Sequence, residues 1–185
     1  MSRKLPKFLK ADEPERLLAA TETARDRVLL LTILLLGLRV SEACKLRIDE
    51  VDFHRREVWV RGGKGDRDRL LPMPRVLVSP LRGWIGNRKE GYVFPSPRGG
   101  RLTNRAVQKL FVRIGKKAGL RGAGEPRACN PHKFRHAYLS RLLESGATIH
   151  ECQRLAGHAS LQTTSVYLHC MNDDRLRDAV DRMYE

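Results

Sequence analysis

The residues most able to carry out chemistry lie in the stretch 131–167. It contains two histidines, His132 and His158, together with Arg135 and Tyr167, and it offers neither paired carboxylates nor a spacing typical of a metal site. An arginine can bond two non-bridging oxygens of a phosphodiester at once while it stays ionised. Tyrosine is among the side chains that form covalent intermediates. The set therefore suits a phosphodiester that is handled without a metal ion.

The spacing within this stretch favours phosphate binding. On a helix, His132 and Arg135 stand three positions apart and project from one face. A tyrosine hydroxyl titrates near about 10, so Tyr167 needs neighbouring positive charge or a base to become a nucleophile. Each residue alone has an ordinary structural interpretation. A proline at position 131 is a common helix start. His158 can be a turn histidine, and Tyr167 can be a core tyrosine. Only their combination favours chemistry.

A second candidate region follows the most apolar segment of the chain. Residues 28–36 are apolar on every side, which predicts a buried central helix that Gly37 ends. Arg39 comes two residues later, beside that helix, where an arginine is costly unless a counterion or a ligand meets it. Two interpretations stay equally open at this point: an ion pair with Glu42, or a phosphate-binding arginine that Glu42 orients.

Lys64 lies in a predicted hairpin turn. Residues 57–61 alternate as a strand, 62–66 are rich in glycine, and 69–73 can form the return strand. The flanking glycines allow the backbone to approach a ligand closely. Lys64 can be an ordinary solvated lysine, or a mobile one that reaches a DNA phosphate or a leaving group.

The composition sets limits on the class of protein. A chain of 185 residues suits one domain with a real core, and a formal charge of +15 with a pI near 10.3 indicates a polyanionic partner, nucleic acid before membrane. The apolar run ends by Leu38, too soon to span a bilayer. Four cysteines without a C-x-x-C spacing predict reduced thiols in a cytoplasmic protein and neither a disulfide framework nor a zinc site: Cys44, Cys129, Cys152 and Cys170.

Local signals predict a mainly α-helical chain with one small antiparallel sheet, an α+β fold. Ser41, Thr103, Thr148 and Ser160 are predicted helix caps. Helices are predicted over about 12–21, 23–36, 41–46, 76–85, 103–118, 131–145, 148–156 and 161–170. The tail 172–184 carries an apolar stripe and is predicted to be a docking helix.

The helix predicted over 103–118 has two distinct faces. Val107, Leu110, Phe111, Ile114 and Ala118 share an apolar face. Basic residues at i+4 spacing share another, named here the basic stripe: Arg105, Lys109, Arg113 and Lys117. Residues 98–141 hold twelve Lys and Arg against one acid, Glu125. We expect the basic stripe, with Arg67 and Lys133, to contact DNA, and such contacts make binding strongly salt dependent. A solvated basic face is the ordinary alternative.

Five segments, in this order, resemble the sequence boxes of tyrosine recombinases, most closely Xer-type recombinases and phage or archaeal integrases. They are 37–42 (Gly-Leu-Arg-Val-Ser-Glu), 63–65 (Gly-Lys-Gly), 132–136 (His-Lys-Phe-Arg-His), 155–158 (Leu-Ala-Gly-His) and 163–169 (Thr-Thr-Ser-Val-Tyr-Leu-His). The resemblance covers most of the chain and implies the catalytic-domain fold of that family. It implies cleavage and rejoining of double-stranded DNA through a 3′-phosphotyrosine, without cofactor, metal or ATP.

The resemblance also implies a role for each matching residue. Arg39 and Arg135 would clamp the scissile phosphate, and His132 and His158 would bond the same group. Lys64 would protonate the leaving 5′-oxygen. Tyr167 would attack phosphorus, and Glu42 would support the site.

The family pattern implies an organisation as well. We expect a single catalytic domain over 1–185, with a core over about 12–170 and a docking helix over 171–185, and without the N-terminal core-binding domain that relatives carry. The tail helix would build a tetramer on DNA, and the chain would be mostly monomeric without DNA. Two other classes of protein stay open: a type IB topoisomerase-like nicking and relaxing enzyme, and a non-catalytic DNA-binding module.

Overall fold

A computed structural model of the chain describes residues 12–62, 68–120 and 131–157. In this part the helices are α1 (Glu13–Ala19), α2 (Ala24–Leu36), α3 (Val40–Lys45), α4 (Arg75–Ile85), α5 (Asn104–Lys117), α6 (Pro131–Glu144) and α7 (Ile149–Ala156). The strands are β1 (Val51–Asp52), β2 (Glu57–Val60) and β3 (Arg69–Pro72), and a 3₁₀ turn spans Ile48–Glu50. The predicted fold class, mainly helical with a small antiparallel sheet, is confirmed.

Helix α2 is the centre of the domain, as its apolar sequence predicts. Leu29, Leu30 and Ile33 are fully buried, and the helix packs against α4 and α6. Thr32 is the one residue of α2 with a hydroxyl group. This hydroxyl donates a hydrogen bond of 2.7 Å to the Val28 carbonyl, so it is satisfied although Thr32 is buried. A helix apolar on all sides is stable only inside such a core.

The predicted apolar face of α5 also lies in the core. Val107, Phe111 and Ile114 are buried, and the Phe111 ring meets the Phe134 ring of α6 edge to face, with centroids 5.0 Å apart. This contact fixes α6 against the main core. A smaller cluster holds α7 to α6: Leu139, Leu143, Cys152 and Ala156.

The sheet has the order β1-β2-β3, antiparallel throughout. In the predicted hairpin, Val58 pairs with Leu71 and Trp59 with Leu70. Val58 and Leu71 point into the core, whereas Trp59 and Leu70 lie on the exposed face. Strand β1 was not predicted, because two residues are too short to show an alternating pattern.

One predicted helix cap is wrong. Helix α3 begins at Val40 with Arg39 at the cap position, not at Ser41. The Glu42 carboxylate accepts a hydrogen bond of 2.7 Å from the Arg39 backbone N–H, so it satisfies the helix end one turn earlier than a serine cap would. The caps predicted at Thr103 and Thr148 are confirmed, since their side chains accept from the N–H groups of Ala106 and Glu151.

Several predictions lie outside the described residues. These are the helices over 161–170 and 172–184, the cap at Ser160, and Cys129 and Cys170. Cys44 and Cys152 are described, and both are buried free thiols. Within the described ranges no helix is long and apolar enough to cross a membrane.

Candidate active site

Arg39 lies at the start of α3, directly after the turn that ends α2. Gly37 makes this turn with a left-handed φ of 61°. The Arg39 guanidinium donates to the Glu42 carboxylate (3.1 Å) and to the Gly157 carbonyl (3.1 Å). Its side chain is 27% exposed, so it is held from two sides yet still reaches the surface.

Arg135 approaches the same place from α6. It is 6% exposed, and its Nη1 donates to the Gly37 carbonyl at 2.7 Å, although the two residues are 98 positions apart. Its Nη2 donates to the Ala156 carbonyl. Since Arg39 donates to the next carbonyl, that of Gly157, the two guanidinium groups meet at the C-terminal end of α7. This pair is named here the arginine clamp.

A buried ion pair supports the clamp. Arg69, the first residue of β3, donates from both terminal nitrogens to the Glu42 carboxylate, at 2.8 and 2.9 Å. Burial alone would raise the pKa of Glu42, but the hydrogen bond and charge of Arg69, with the Arg39 backbone N–H, outweigh it and lower that pKa. Glu42 therefore stays ionised while it is buried.

Tyr138 packs against the turn that precedes Arg39. A Cβ atom at Gly37 would overlap its ring, so only glycine fits there. Burial raises the pKa of Tyr138 to about 12. An activated tyrosine needs the opposite change. Tyr138 therefore serves packing, although it stands one turn from Arg135 on α6.

The predicted site residues divide into two groups. The structure brings Arg39, Glu42 and Arg135 together, and it places His132 in α6 three positions before Arg135, with its side chain outside the description. Lys64, Arg67, His158 and Tyr167 lie outside the described residues. In the described ranges, no group of three or more His, Cys, Asp or Glu is placed to hold a metal ion.

The basic stripe is exposed along α5, but its two halves differ. Arg113 donates to the buried Asp26 carboxylate at 3.2 Å, and Lys117 contacts Glu22 at 2.6 Å. Arg105 and Lys109 make no ion pair within the described part of the chain. Lys133 lies on α6, half-buried. Among the described residues, the half of the stripe nearer the α5 N-terminus thus carries the charge that no acid pairs with.

Arg69 was not among the predicted site residues. Sequence reasoning placed it only as the first residue of a return strand. One signal was available: in β3, Arg69 and Leu71 lie on the same face because side chains alternate along a strand. An arginine in register with a core leucine must have a partner inside the protein.

Known proteins resemble this chain over most of its length. Residues 7–173 match the phage integrase family. The tyrosine recombinase XerA of Pyrococcus horikoshii is 35% identical over 185 residues, which cover 97% of this chain and 62% of that protein. XerA of Thermococcus kodakarensis is 40% identical over 172 residues, 89% of this chain and 58% of that protein. The chain belongs to the phage integrase family, which confirms the predicted family resemblance.

Solved structures give the same result for the fold. A crystal structure of XerA recombinase superposes with a TM-score of 0.79 at 30% identity and covers 100% of this chain and 67% of its own. XerH recombinase bound to its difH substrate, in a pre-cleavage complex, gives 0.77 at 28% identity, over 99% of this chain and 56% of its own. The chain spans about three-fifths of the length of its XerA relatives.

Proposed function

We propose that this chain is the catalytic part of a site-specific DNA recombinase or integrase that works through a 3′-phosphotyrosine intermediate. The observation that carries the proposal is the meeting of Arg39 and Arg135 on consecutive carbonyls, those of Ala156 and Gly157. The next residue in the chain is His158, a further predicted phosphate ligand. Three separate sequence boxes thus supply one location. A DNA substrate is supported by the XerH complex with difH.

The proposed reaction is a transesterification at phosphorus. The Tyr167 hydroxyl gives its proton to one of the two histidines, His132 or His158, and its oxygen attacks the scissile phosphate. A new P–O bond to tyrosine forms, and the bond from phosphorus to the 5′-oxygen breaks. The 5′-oxygen leaves with the electron pair and takes a proton from Lys64. A 5′-hydroxyl then attacks the phosphotyrosine in the reverse sense and rejoins the strands. One phosphodiester is exchanged for another, so the chemistry needs neither ATP nor a metal ion.

The arginine clamp would act on the charge that develops during this exchange. Two guanidinium groups that are already oriented can stabilise the non-bridging oxygens without reorganisation. His132 and His158 would bond the same phosphate. The basic stripe, with Arg67 and Lys133, would hold the DNA backbone.

The chain organisation is part of the proposal. Residues 1–185 would form one catalytic domain, with the tail over 171–185 as the helix that joins protomers into a tetramer on DNA. The chain would be mostly monomeric without DNA.

The experiment is a search for the covalent intermediate. The chain is mixed with end-labelled, nicked DNA duplexes of randomised sequence in EDTA, and the products are separated on a denaturing gel. We expect a labelled protein band from the wild type and from Tyr138→Phe, and none from Tyr167→Phe. Tyr138→Phe is the matched control because phenylalanine keeps the ring that packs against Gly37 and removes only the hydroxyl, whose pKa is raised.

Three other results would change the proposal. A band that survives in Tyr167→Phe would assign the nucleophile to another residue. If every protein shifts DNA in a native gel and none forms the band, the chain is a DNA-binding module. Relaxation of supercoiled plasmid without site preference, together with the band, would favour the topoisomerase-like activity.

A further inference from the structure

The buried Arg69 side chain hydrogen-bonds to residues of two other elements. Its side chain is 4% exposed, and three of its nitrogens donate: Nη1 and Nη2 to Glu42, and Nε to the Leu155 carbonyl at 2.8 Å. An unpaired charge in such a place would strongly destabilise the fold, because its lost hydration would not be replaced. Arg69 is therefore tied to α3 and to α7 at once.

The Glu42 carboxylate is shared between Arg69 and the clamp. Its Oε1 accepts from Arg39 Nη1 (3.1 Å) as well as from Arg69 Nη1 (2.8 Å). Its Oε2 accepts from the Arg39 backbone N–H (2.7 Å) and from Arg69 Nη2 (2.9 Å). Any movement of Arg69 must therefore move the group that orients Arg39.

Arg69 also packs on the turn that binds Arg39 from the other side. A Cβ atom at Gly157 would lie 2.9 Å from Arg69 Nη1 and 3.2 Å from its Cδ and Cζ. Gly157 has a φ of 65°, and its carbonyl accepts from Arg39. Arg69 thus contacts both partners of the Arg39 guanidinium, the Glu42 carboxylate and the Gly157 turn.

We infer that Arg69 is a positioning residue for the arginine clamp. It holds Glu42 and the end of α7 at a fixed separation, and this sets where the Arg39 guanidinium stands relative to Arg135. The inference rests on the proposed function, because the clamp matters only if a phosphate is bound there. A displacement of about 1 Å in such a group is enough to slow an enzyme about a hundredfold.

The test measures single-turnover formation of the covalent band for wild type, Arg69→Met, Arg69→Lys and the control Arg61→Met. Arg61 directly follows the neighbouring strand β2 and also pairs with a carboxylate, Glu50 at 2.8 Å, but its side chain is 66% exposed. We expect Arg69→Met to be about a hundredfold slower, Arg69→Lys to lie in between, and Arg61→Met to react as wild type does.

A second substrate separates the clamp from the leaving group. In a duplex with a 5′-bridging sulfur, the leaving group departs without a proton, so a defect in the acid is rescued. A clamp defect is not rescued, and we expect Arg69→Met to stay slow on this substrate. Rescue would overturn the inference and assign Arg69 to the leaving-group side.

The same variants show whether folding is intact and separate a failure of this inference from a failure of the proposed function. Each variant is compared by thermal unfolding. The double variant Arg69→Met/Glu42→Gln removes the charge of both buried partners and is measured beside the single variant Glu42→Gln, which like it leaves Arg39 without a carboxylate partner. If Arg69 acts through Glu42, the double variant is no slower than either single variant; a rate equal to the product of the two single losses would overturn the inference. A wild type that forms no band contradicts the proposed function, whereas a normal Arg69→Met contradicts only the role of Arg69.

Discussion

The chain uses positive charge in two different ways, in the arginine clamp and in the basic stripe. The clamp arginines are held by backbone carbonyls and by one carboxylate that Arg69 shares. The stripe is exposed along α5, and its C-terminal half pairs with Glu22, just before α2, and with Asp26 in α2. Fixed charge suits a reacting phosphate, whose oxygens must be met at defined positions, while exposed charge suits a DNA backbone of any sequence.

The largest expected effect is the loss of a clamp arginine. Arg135→Ala should reduce covalent band formation roughly a hundredfold or more, because a preorganised charge at the phosphate is lost. Arg135→Lys should recover little, since lysine cannot donate to Gly37 and Ala156 as a planar fork does. Single-turnover rates at saturating DNA give the measurement.

Non-specific DNA binding by the same variants is the control. It should change little, because the basic stripe stays intact. Cleavage at the wild-type rate in Arg135→Ala would remove this residue from the clamp.

A methyl group added beside the arginine clamp should lower the free energy of unfolding more than one added at the surface. Gly37→Ala combines a left-handed φ of 61° with overlap of the Tyr138 ring, so we expect it to lower the free energy of unfolding by about 2–5 kcal/mol. Gly99→Ala is the matched control, with a φ of 82° and no atom within 4 Å of the added methyl group. Its cost should be only the backbone strain, about 1–2 kcal/mol. Urea unfolding measures both, and equal losses would show that the Tyr138 contact does not matter.

The buried carboxylate of Glu42, which supports the clamp, makes the stability of the fold depend on pH. The pKa of Glu42 is lowered in the folded state from its ordinary value of 4.5, so the folded protein binds fewer protons there than the unfolded chain does. The stability that Glu42 contributes is therefore present above 4.5 and is lost as the pH falls through the lowered folded pKa.

The measurement is urea unfolding of wild type and Glu42→Gln over this range. The wild type should lose stability more steeply on acidification than the variant, which has no carboxyl group to titrate. Other carboxylates with a lowered pKa, such as Glu151, contribute equally to both proteins and cancel. Parallel curves would mean that Glu42 contributes nothing to the pH dependence.

The sequence predicts the elements of this domain better than it predicts their contacts. The apolar run of α2, the two faces of α5 and the caps at Thr103 and Thr148 are local signals, and the structure has each of them. Arg39 could be selected because an arginine beside a buried segment needs a partner, and Arg135 because it shares a helix face with His132.

Contacts between distant residues could not be predicted in the same way. The acids that pair with Arg113 and Lys117 are 87 and 95 positions away, so the helical pattern of α5 contains no sign of them. The role of Arg69 depends on α3 and α7, which meet only in the folded chain.

The smallest effect expected concerns the two halves of the basic stripe. Each phosphate contact made by a cation steepens the dependence of log K on log salt by about 0.9. Arg105→Ala/Lys109→Ala should therefore make the slope about 2 units shallower. Arg113→Ala/Lys117→Ala should change it less, because Glu22 and Asp26 already pair with those side chains, although Asp26 is shared with Arg25.

A charge change on the acid side tests the same point in the opposite direction. Glu22→Gln leaves the Lys117 ammonium without its carboxylate partner at 2.6 Å, so the C-terminal half of the stripe should bind DNA more tightly and with a steeper salt slope. Fluorescence anisotropy with a labelled random duplex at several salt concentrations measures all three variants. Equal weakening by both double variants, with no change in Glu22→Gln, would contradict this prediction. The ion pairs with Glu22 and Asp26 would then not reduce DNA binding by the stripe, and exposure alone would decide which cations contact the DNA.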